Sequence, residues 1–582
     1  MNRSELIHIR ARHRSSLSPW AIAYGVARLL LIGTFVVATN FGFGQRVSLL
    51  IDQGRFGTLL PFLAIWGLSI AAIAVAAMQS RLWVRFGWGL LIAASTAVAW
   101  GYHRASQSEL SVFDMISLWN ARHEASRAAD FYQMQIVLAG AVLIVGFLLI
   151  VAPPPAFGPS VRRTMARLAL LPLVPILLVD GIVYAKSGGG SQSLPSQFTP
   201  VALGSLAAAK ISLQGVRVRK DVAWQPLANQ PKQNLVFLVD ESIRADYLDF
   251  APGNPYTPHL APLAAKLVNF GPAVSGGNCS NYSNAILRFA ASREDLVDSV
   301  NTSPTLFQYA KKAGYRTVYI DAQAGNITNP GLLQNYMTVQ EKTAIDGFYA
   351  IRDLPAEQAD GRLSEIVRDE LARAKSGPPV FIYANKNGAH FPYDHSYPAD
   401  QTLFHPAMRE SASDTQQARI ASYHNAIAWS VDRFMAGLFA SADLGNASLV
   451  YTSDHAQTLD PRLLTHCQVD DPDPRMGLVP LLAYSSDAAT QAAFAKGASL
   501  SRGKANHFQI APTLLQLMGY APADIASAYD ESLFAGSVRP AQFTSGDIFG
   551  LFGSAAHWNA IDLGKDYREP AMQVSANAGA GQ

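Results

Sequence analysis

A chain of 582 residues with 49% hydrophobic and only 15% charged residues is too long for one domain and too apolar to be soluble throughout. Its formal net charge of +3, with no basic domain, excludes a nucleic-acid binder. Its two cysteines allow at most one internal disulfide.

The apolar residues gather before residue 186, in five stretches long enough to cross a bilayer as helices. The predicted spans lie near 21–41, 58–78, 86–102, 134–152 and 168–185. Arg28 lies near the inner end of the first span, within snorkelling reach of the interface. The third is flanked by tryptophans, which suit an interface, and the fifth carries two prolines, which membrane helices tolerate. Arg3, Arg10, Arg12 and Arg14 precede the first span, Arg81 and Arg85 follow the second, and Arg162, Arg163 and Arg167 follow the fourth. By the positive-inside rule these regions are cytoplasmic, and everything after Lys186 is outside. The external loop 103–133 reads as an amphipathic helix on the membrane surface, with Val112, Met115, Ile116 and Trp119 on one side.

A glycine- and serine-rich break opens a linker over 187–230. From 231 to 568 short apolar runs alternate with helical stretches: "NLVFLV", "RTVYI", "VFIYAN", "SLVYTS" and "VPLLAY". Such runs predict a mostly parallel sheet covered on both faces, with chemistry at the carboxyl ends of its strands. Residues 569–582 read as a disordered tail.

Those strand ends carry potential metal ligands. The first run ends in Asp240-Glu241, the third leads to His390, the fourth ends in Asp454-His455, and His466 follows shortly after. Carboxylates with imidazole suit zinc, which makes a nearby hydroxyl far easier to ionise. The loop "NCSNYS", residues 278–283, offers a cysteine and a serine as nucleophile, and the local sequence does not choose between them. These residues point to a metal-assisted transfer or hydrolysis outside the membrane.

With these motifs the chain resembles the inner-membrane phosphoethanolamine transferases of Gram-negative bacteria, members of the alkaline phosphatase and sulfatase superfamily. The resemblance spans nearly the whole sequence, including "LPSQFTP" after the last span. "VDESIRAD" matches a strand-end motif that makes Glu241 a zinc ligand, and "YTSDHAQTL" makes Asp454 and His455 ligands. "CSNYSNA" is similar to the nucleophile segment and puts Ser280 in the nucleophile's place, on the metal. The cysteine-based sulfatase signal Cys-x-Pro-x-Arg is absent, so the resemblance favours the serine. "GAHFPYDHSYP" makes His390 face the phosphoryl group, and His466 takes the place of a second such histidine. Asn120 and Glu124, on the external loop, are candidates for the ethanolamine ammonium. There are departures: Asn284-Ala285-Ile286 stands for Val-Pro-Cys, Gln457 for a carboxylate, and a lysine expected near Ile327 is missing.

The resemblance implies a five-helix membrane bundle with a periplasmic α/β sulfatase-like domain, acting as a monomer. The activity it implies is zinc-dependent transfer of phosphoethanolamine from phosphatidylethanolamine, through Ser280, to a hydroxyl of an envelope glycolipid or glycan such as lipid A. The alternatives are a glycerophosphate transferase of the lipoteichoic acid synthase type, a phosphodiesterase, and an inactive protein keeping the fold. Cys279 adjoins the nucleophile and Cys467 adjoins His466; a bridge between them and two separate thiols are both compatible with the sequence.

Overall fold

In a computed structural model of the chain, the described residues are 19–569 without 53, 107–108, 121–128, 130–131, 187, 215–217, 228–232, 324–338, 352–353, 413, 462, 464, 470 and 554–555. The chain divides into two compact units, one of residues 1–116 with 128–213 and the other of residues 117–127 with 214–582.

Long apolar runs satisfy their own backbone as helices, and the first unit is built of them. Phe56–Ala77, Leu82–Ala105 and Gln133–Val151 are long and apolar enough to cross a membrane. The first predicted span is bent: Ile22–Ala38 and Phe43–Asp52 meet at 70°. The Thr39 hydroxyl and the Asn40 amide donate to the carbonyls of Phe35 and Val36 at 2.8 and 2.7 Å, ending the first helix at the bend. The fifth predicted span contains a helix of only 13 residues, Leu173–Ala185. Pro172 and Pro175 supply no N–H, and the turns before them bond three residues back, Leu171 to Leu168 and Leu173 to Leu170. By length, therefore, the described residues hold three spanning helices, or four when the bent pair counts as one.

Arg28 does not snorkel outward. It is 3% exposed and donates to the carbonyls of Leu149, Ile150 and Pro153, where a cation suits the carboxyl end of helix Gln133–Val151. The amphipathic segment forms helix Val112–Asn120, with Val112, Phe113 and Ile116 buried. Asn120 is its last residue, and Glu124 lies outside the described residues. Within the expected linker, Thr199–Gln214 is helical, in keeping with its alanines and leucines.

The second unit is built on a seven-stranded sheet, β1 (Asn234–Asp240), β2 (Val268–Val274), β3 (Arg316–Asp321), β4 (Gly347–Ala350), β5 (Val380–Asn385), β6 (Ala447–Ser453) and β7 (Leu478–Ser485), in the order β2-β7-β6-β1-β5-β3-β4. The five expected strands are β1, β3, β5, β6 and β7. Pairing is parallel from β6 through β1, β5 and β3 to β4, and β7 runs antiparallel to β6 and β2. β1 and β6 are buried at every residue because helices cover both faces, which is why they read as unbroken apolar runs. The β1–β6 register sets Asp240 opposite Ser453, so Glu241 and Asp454 leave the sheet together.

A buried ion pair lies under this edge. Lys386, just after β5, pairs with Asp240, and its ammonium also donates to the Ser430 carbonyl at 2.6 Å. Burial pushes the Asp240 carboxyl up to about 6, against the opposing charge of Lys386. Asp360 accepts from the Asn387 and Gly388 N–H groups at 2.7 and 3.1 Å, clamping the loop that leads to His390. Gly388 has φ +56°, and a Cβ there would come within 2.4 Å of Asp240 Oδ1. Only glycine fits both demands.

Glu569, the first residue of the expected tail, is held by Arg244 at 2.7 Å and by Arg475 at 3.1 Å; residues 570–582 lie outside the described residues.

Candidate metal and nucleophile site

The segment before Ser280 is shaped by small residues. After β2, a Cβ on Gly276 would press on Ile286 at 2.9 Å, and one on Gly277 would lie 3.0 Å from Tyr282 Cβ. Ser283 locks the loop by accepting from the Gly277 N–H at 2.9 Å and donating to its carbonyl at 2.8 Å. His507 accepts the Gly276 N–H on Nδ1 at 2.9 Å, so its Nε2–H faces the Thr452 hydroxyl at 3.0 Å. Burial holds this imidazole neutral, pushed down to about 3. The chain then enters helix Ser280–Arg288 from an extended Cys279, and Ser280 is its first residue. Its hydroxyl stands at the amino end of the helix, where backbone N–H groups and the helix dipole favour an anion.

Ser280 Oγ lies 3.2 Å from Glu241 Oε2 and 3.0 Å from His455 Nε2. His455 Nε2 is also 3.3 Å from Glu241 Oε1 and 3.6 Å from Asp454 Oδ2. Among the described residues, Glu241, Asp454 and His455 form a buried group whose ligand atoms all lie within 4.8 Å of one another. His455 Nδ1 sits 2.8 Å from the Ala456 carbonyl and must donate to it, which leaves Nε2 for the site. Asp454 Oδ1 accepts from the N–H groups of Ser242 and His455 at 3.2 and 2.7 Å. Its buried Oδ2 accepts no hydrogen bond.

The charges are unbalanced. Burial and the Glu241 charge push the Asp454 carboxyl well up. Burial would also raise Glu241, but the hydrogen bond and charge of His455 outweigh it and hold the carboxyl down. Burial alone would lower His455, yet the two carboxylates outweigh it and raise the imidazole to about 9. Two carboxylates thus meet one imidazole in a buried place, short of one positive charge. The orphaned Asp454 oxygen, the fixed Nε2 and this deficit of positive charge fit a divalent cation.

The other two predicted residues surround this group. His466 stacks on His455 with ring centroids 4.5 Å apart, and its Nδ1 is 3.0 Å from the Thr465 hydroxyl. Burial and the charge of His455 push it well down, so it is neutral. His390 is half-buried, and its Nδ1 lies 2.7 Å from the Phe391 carbonyl. Of the predicted site residues, Asn120 and Glu124 alone are not placed by side chain.

Sequence reasoning missed several members of the site. Ser242 adopts φ +63°, a left-handed backbone that costs a non-glycine residue about 1–3 kcal/mol. Its hydroxyl donates to Glu241 Oε1 at 2.7 Å, and its carbonyl accepts from Tyr423 at 2.7 Å and from Gln457 at 3.0 Å. Gln457 thus supports the strained residue through an N–H that a carboxylate could not supply. Gln323 donates to Glu241 Oε2 at 3.0 Å and to the Lys386 carbonyl at 2.9 Å. Its place two residues after β3 was the available signal.

Cys279 and Cys467 form a disulfide with Cα atoms 4.5 Å apart, and the Cys467 N–H donates to the Asn278 carbonyl at 2.8 Å. The bridge joins the residue before Ser280 to the residue after His466. Reduction is expected to cost roughly 2–4 kcal/mol of stability of this unit by the loop-entropy account. Thiol labelling of denatured, unreduced protein should find no free thiol; two per chain would refute the bridge.

Comparison with known proteins accords with this geometry. Residues 233–520 match the family model described as Sulfatase. No curated protein matches the chain. The integral membrane protein lipooligosaccharide phosphoethanolamine transferase A (EptA) from Neisseria meningitidis superposes with a TM-score of 0.62 at 16% identity, over 85% of this chain and 96% of that one. The C-terminal periplasmic domain of EptC from Escherichia coli, in complex with Zn, superposes at 0.45 with 20% identity, over 60% of this chain and 97% of that one. The lipoteichoic acid synthase LtaP from Listeria monocytogenes superposes at 0.36 with 14% identity, over 54% and 78%. Residues 233–520 therefore match the Sulfatase family, on a chain whose fold is similar to that of the lipooligosaccharide phosphoethanolamine transferase A.

Proposed function

We propose that the protein is a zinc-dependent phosphoethanolamine transferase of the bacterial inner membrane, its catalytic unit periplasmic and its amino terminus cytoplasmic. The observation that carries the reading is Ser280 Oγ, buried within 3.0–3.2 Å of His455 and Glu241 at a helix amino terminus. Glu241, Asp454 and His455 would hold the zinc, which makes a neighbouring hydroxyl easier to ionise near neutral pH.

Ser280 attacks the phosphorus of phosphatidylethanolamine, diacylglycerol leaves, and phosphoethanolamine remains esterified to Ser280. A hydroxyl of an envelope glycolipid or glycan, lipid A being one candidate, then attacks that phosphorus and frees the serine. The backbone N–H groups at the helix start bind the phosphoryl oxygens. His466, held neutral, can accept a proton from the incoming hydroxyl, and His390 would stabilise charge on the phosphoryl group. Asn120 and Glu124 are proposed to meet the donor headgroup as the lipid docks.

The test is incubation of the purified full-length protein with phosphatidylethanolamine or phosphatidylglycerol, each labelled in the headgroup. Label retained on the protein from the ethanolamine lipid supports the reading. Retention from the glycerol lipid alone would replace it with glycerophosphate transfer.

A further inference from the structure

Helix Ser280–Arg288 buries a polar stripe that the mechanism so far leaves idle. Asn281, Asn284 and Arg288 recur at helical spacing on one side, and all are at most 3% exposed. Arg288 pairs with Glu341 at 2.7 Å, and Asn284 accepts from the Tyr383 hydroxyl at 3.4 Å. The stripe therefore faces β5 and the short helix that carries Glu341. Moving along it toward Ser280, the next residue is Asn281; moving along β5 in the same direction from Tyr383, the next on that face is Asn385. Beside Asn385 in the register is Asp321, which accepts from the Gln323 N–H at 3.0 Å.

Several amide atoms here are buried without a hydrogen-bond partner. They are both side-chain atoms of Asn281, Asn284 Nδ2, Asn385 Oδ1 and Gln323 Oε1. Their orientations are dictated rather than arbitrary. Gln323 must turn its NH2 to the Glu241 carboxylate and the Lys386 carbonyl, and Asn385 must turn its NH2 to Asp321 Oδ1 at 3.4 Å. Two carbonyl oxygens are left free, and Asn281 can present a third. Buried polar groups are almost always paired, so a cluster of unpaired acceptors beside a nucleophile marks a place for a donor. Gln323 is joined to Ser280 through a single carboxylate, that of Glu241.

We propose that Asn281, Asn385 and Gln323 form the site for the ammonium of the phosphoethanolamine carried on Ser280. A primary ammonium has three N–H donors and no acceptor, which matches three amide oxygens. The inference rests on the proposed transferase reading. It concerns the intermediate after the lipid has left, a stage distinct from docking at Asn120 and Glu124. Specificity follows, because each methyl added to nitrogen removes a donor and leaves one amide oxygen unpaired.

The experiment compares kcat/KM for phosphatidylethanolamine, its mono- and dimethylated forms and phosphatidylcholine, using the zinc-loaded full-length protein. The wild type should lose rate with each methyl. In Asn281→Ala and in Asn385→Ala the ethanolamine-to-choline ratio should fall at least tenfold. Loss on phosphatidylethanolamine should exceed loss on bis(4-nitrophenyl) phosphate, which has no headgroup amine, by the same factor. Asn281→Asp, which still offers acceptors, should keep the preference. An unchanged ratio, or equal loss on every substrate, would overturn the ammonium site while leaving the transferase reading standing. A wild type that uses phosphatidylglycerol but not phosphatidylethanolamine would overturn both.

Discussion

Ser280→Ala is expected to reduce transfer by more than about a thousandfold, because a nucleophile acts as a unit with its activating groups and has no partial substitute. The alternative nucleophile in the same loop, Cys279, is consumed in the bridge to Cys467. Ser283 is turned away, donating to the Gly277 carbonyl. Mass spectrometry of protein incubated with donor lipid should place the added group on the peptide containing Ser280, and the alanine variant should carry none. Folding should be unaffected, since the change removes one hydroxyl whose partners are the site's own side chains. Full activity in the variant would sink the mechanism.

The second large effect separates two classes of residue. Glu241→Ala, Asp454→Ala and His455→Ala should each lose bound zinc together with activity, because the three ligand atoms converge within 4.8 Å. His390→Ala and His466→Ala should retain zinc and lose activity by about 10²–10⁴-fold, the range of a proton-transfer or charge-stabilising group. Elemental analysis of purified variants alongside turnover decides the matter. Parallel losses of zinc in both classes would refute the division of roles.

The main sheet and the convergence of Glu241, Asp454 and His455 were legible because both rest on local chemistry. Strands buried on both faces must be apolar runs, and acids and histidines directly after such runs must emerge at one edge. β2 was not legible: "VNFGPAV" contains a glycine and a proline, and it pairs antiparallel to β7 across a register shift. β4 is only four residues long. The membrane segments were readable as composition but not as lengths, since the bend at Thr39–Asn40 depends on side chains bonding back to their own helix. Ser242 could not be found from sequence, because what makes it part of the site is a hydrogen bond to Glu241, and the only sign of Gln323 was its place after β3. The cysteine pairing needed geometry, as 188 residues separate the two.

That separation sets an order of assembly. Because Cys467 is 188 residues downstream of Cys279, the bond cannot close until most of the catalytic unit has been made and brought together. β3, β4, β5 and β6 all lie between the two cysteines and β1 precedes them, so every strand of the parallel portion has been made before the link is possible. The bond therefore reports on assembly: it forms when the residue before Ser280 and the residue after His466 have been brought to one place. A chain in which the two stay apart keeps free thiols, which distinguish it chemically from a finished molecule.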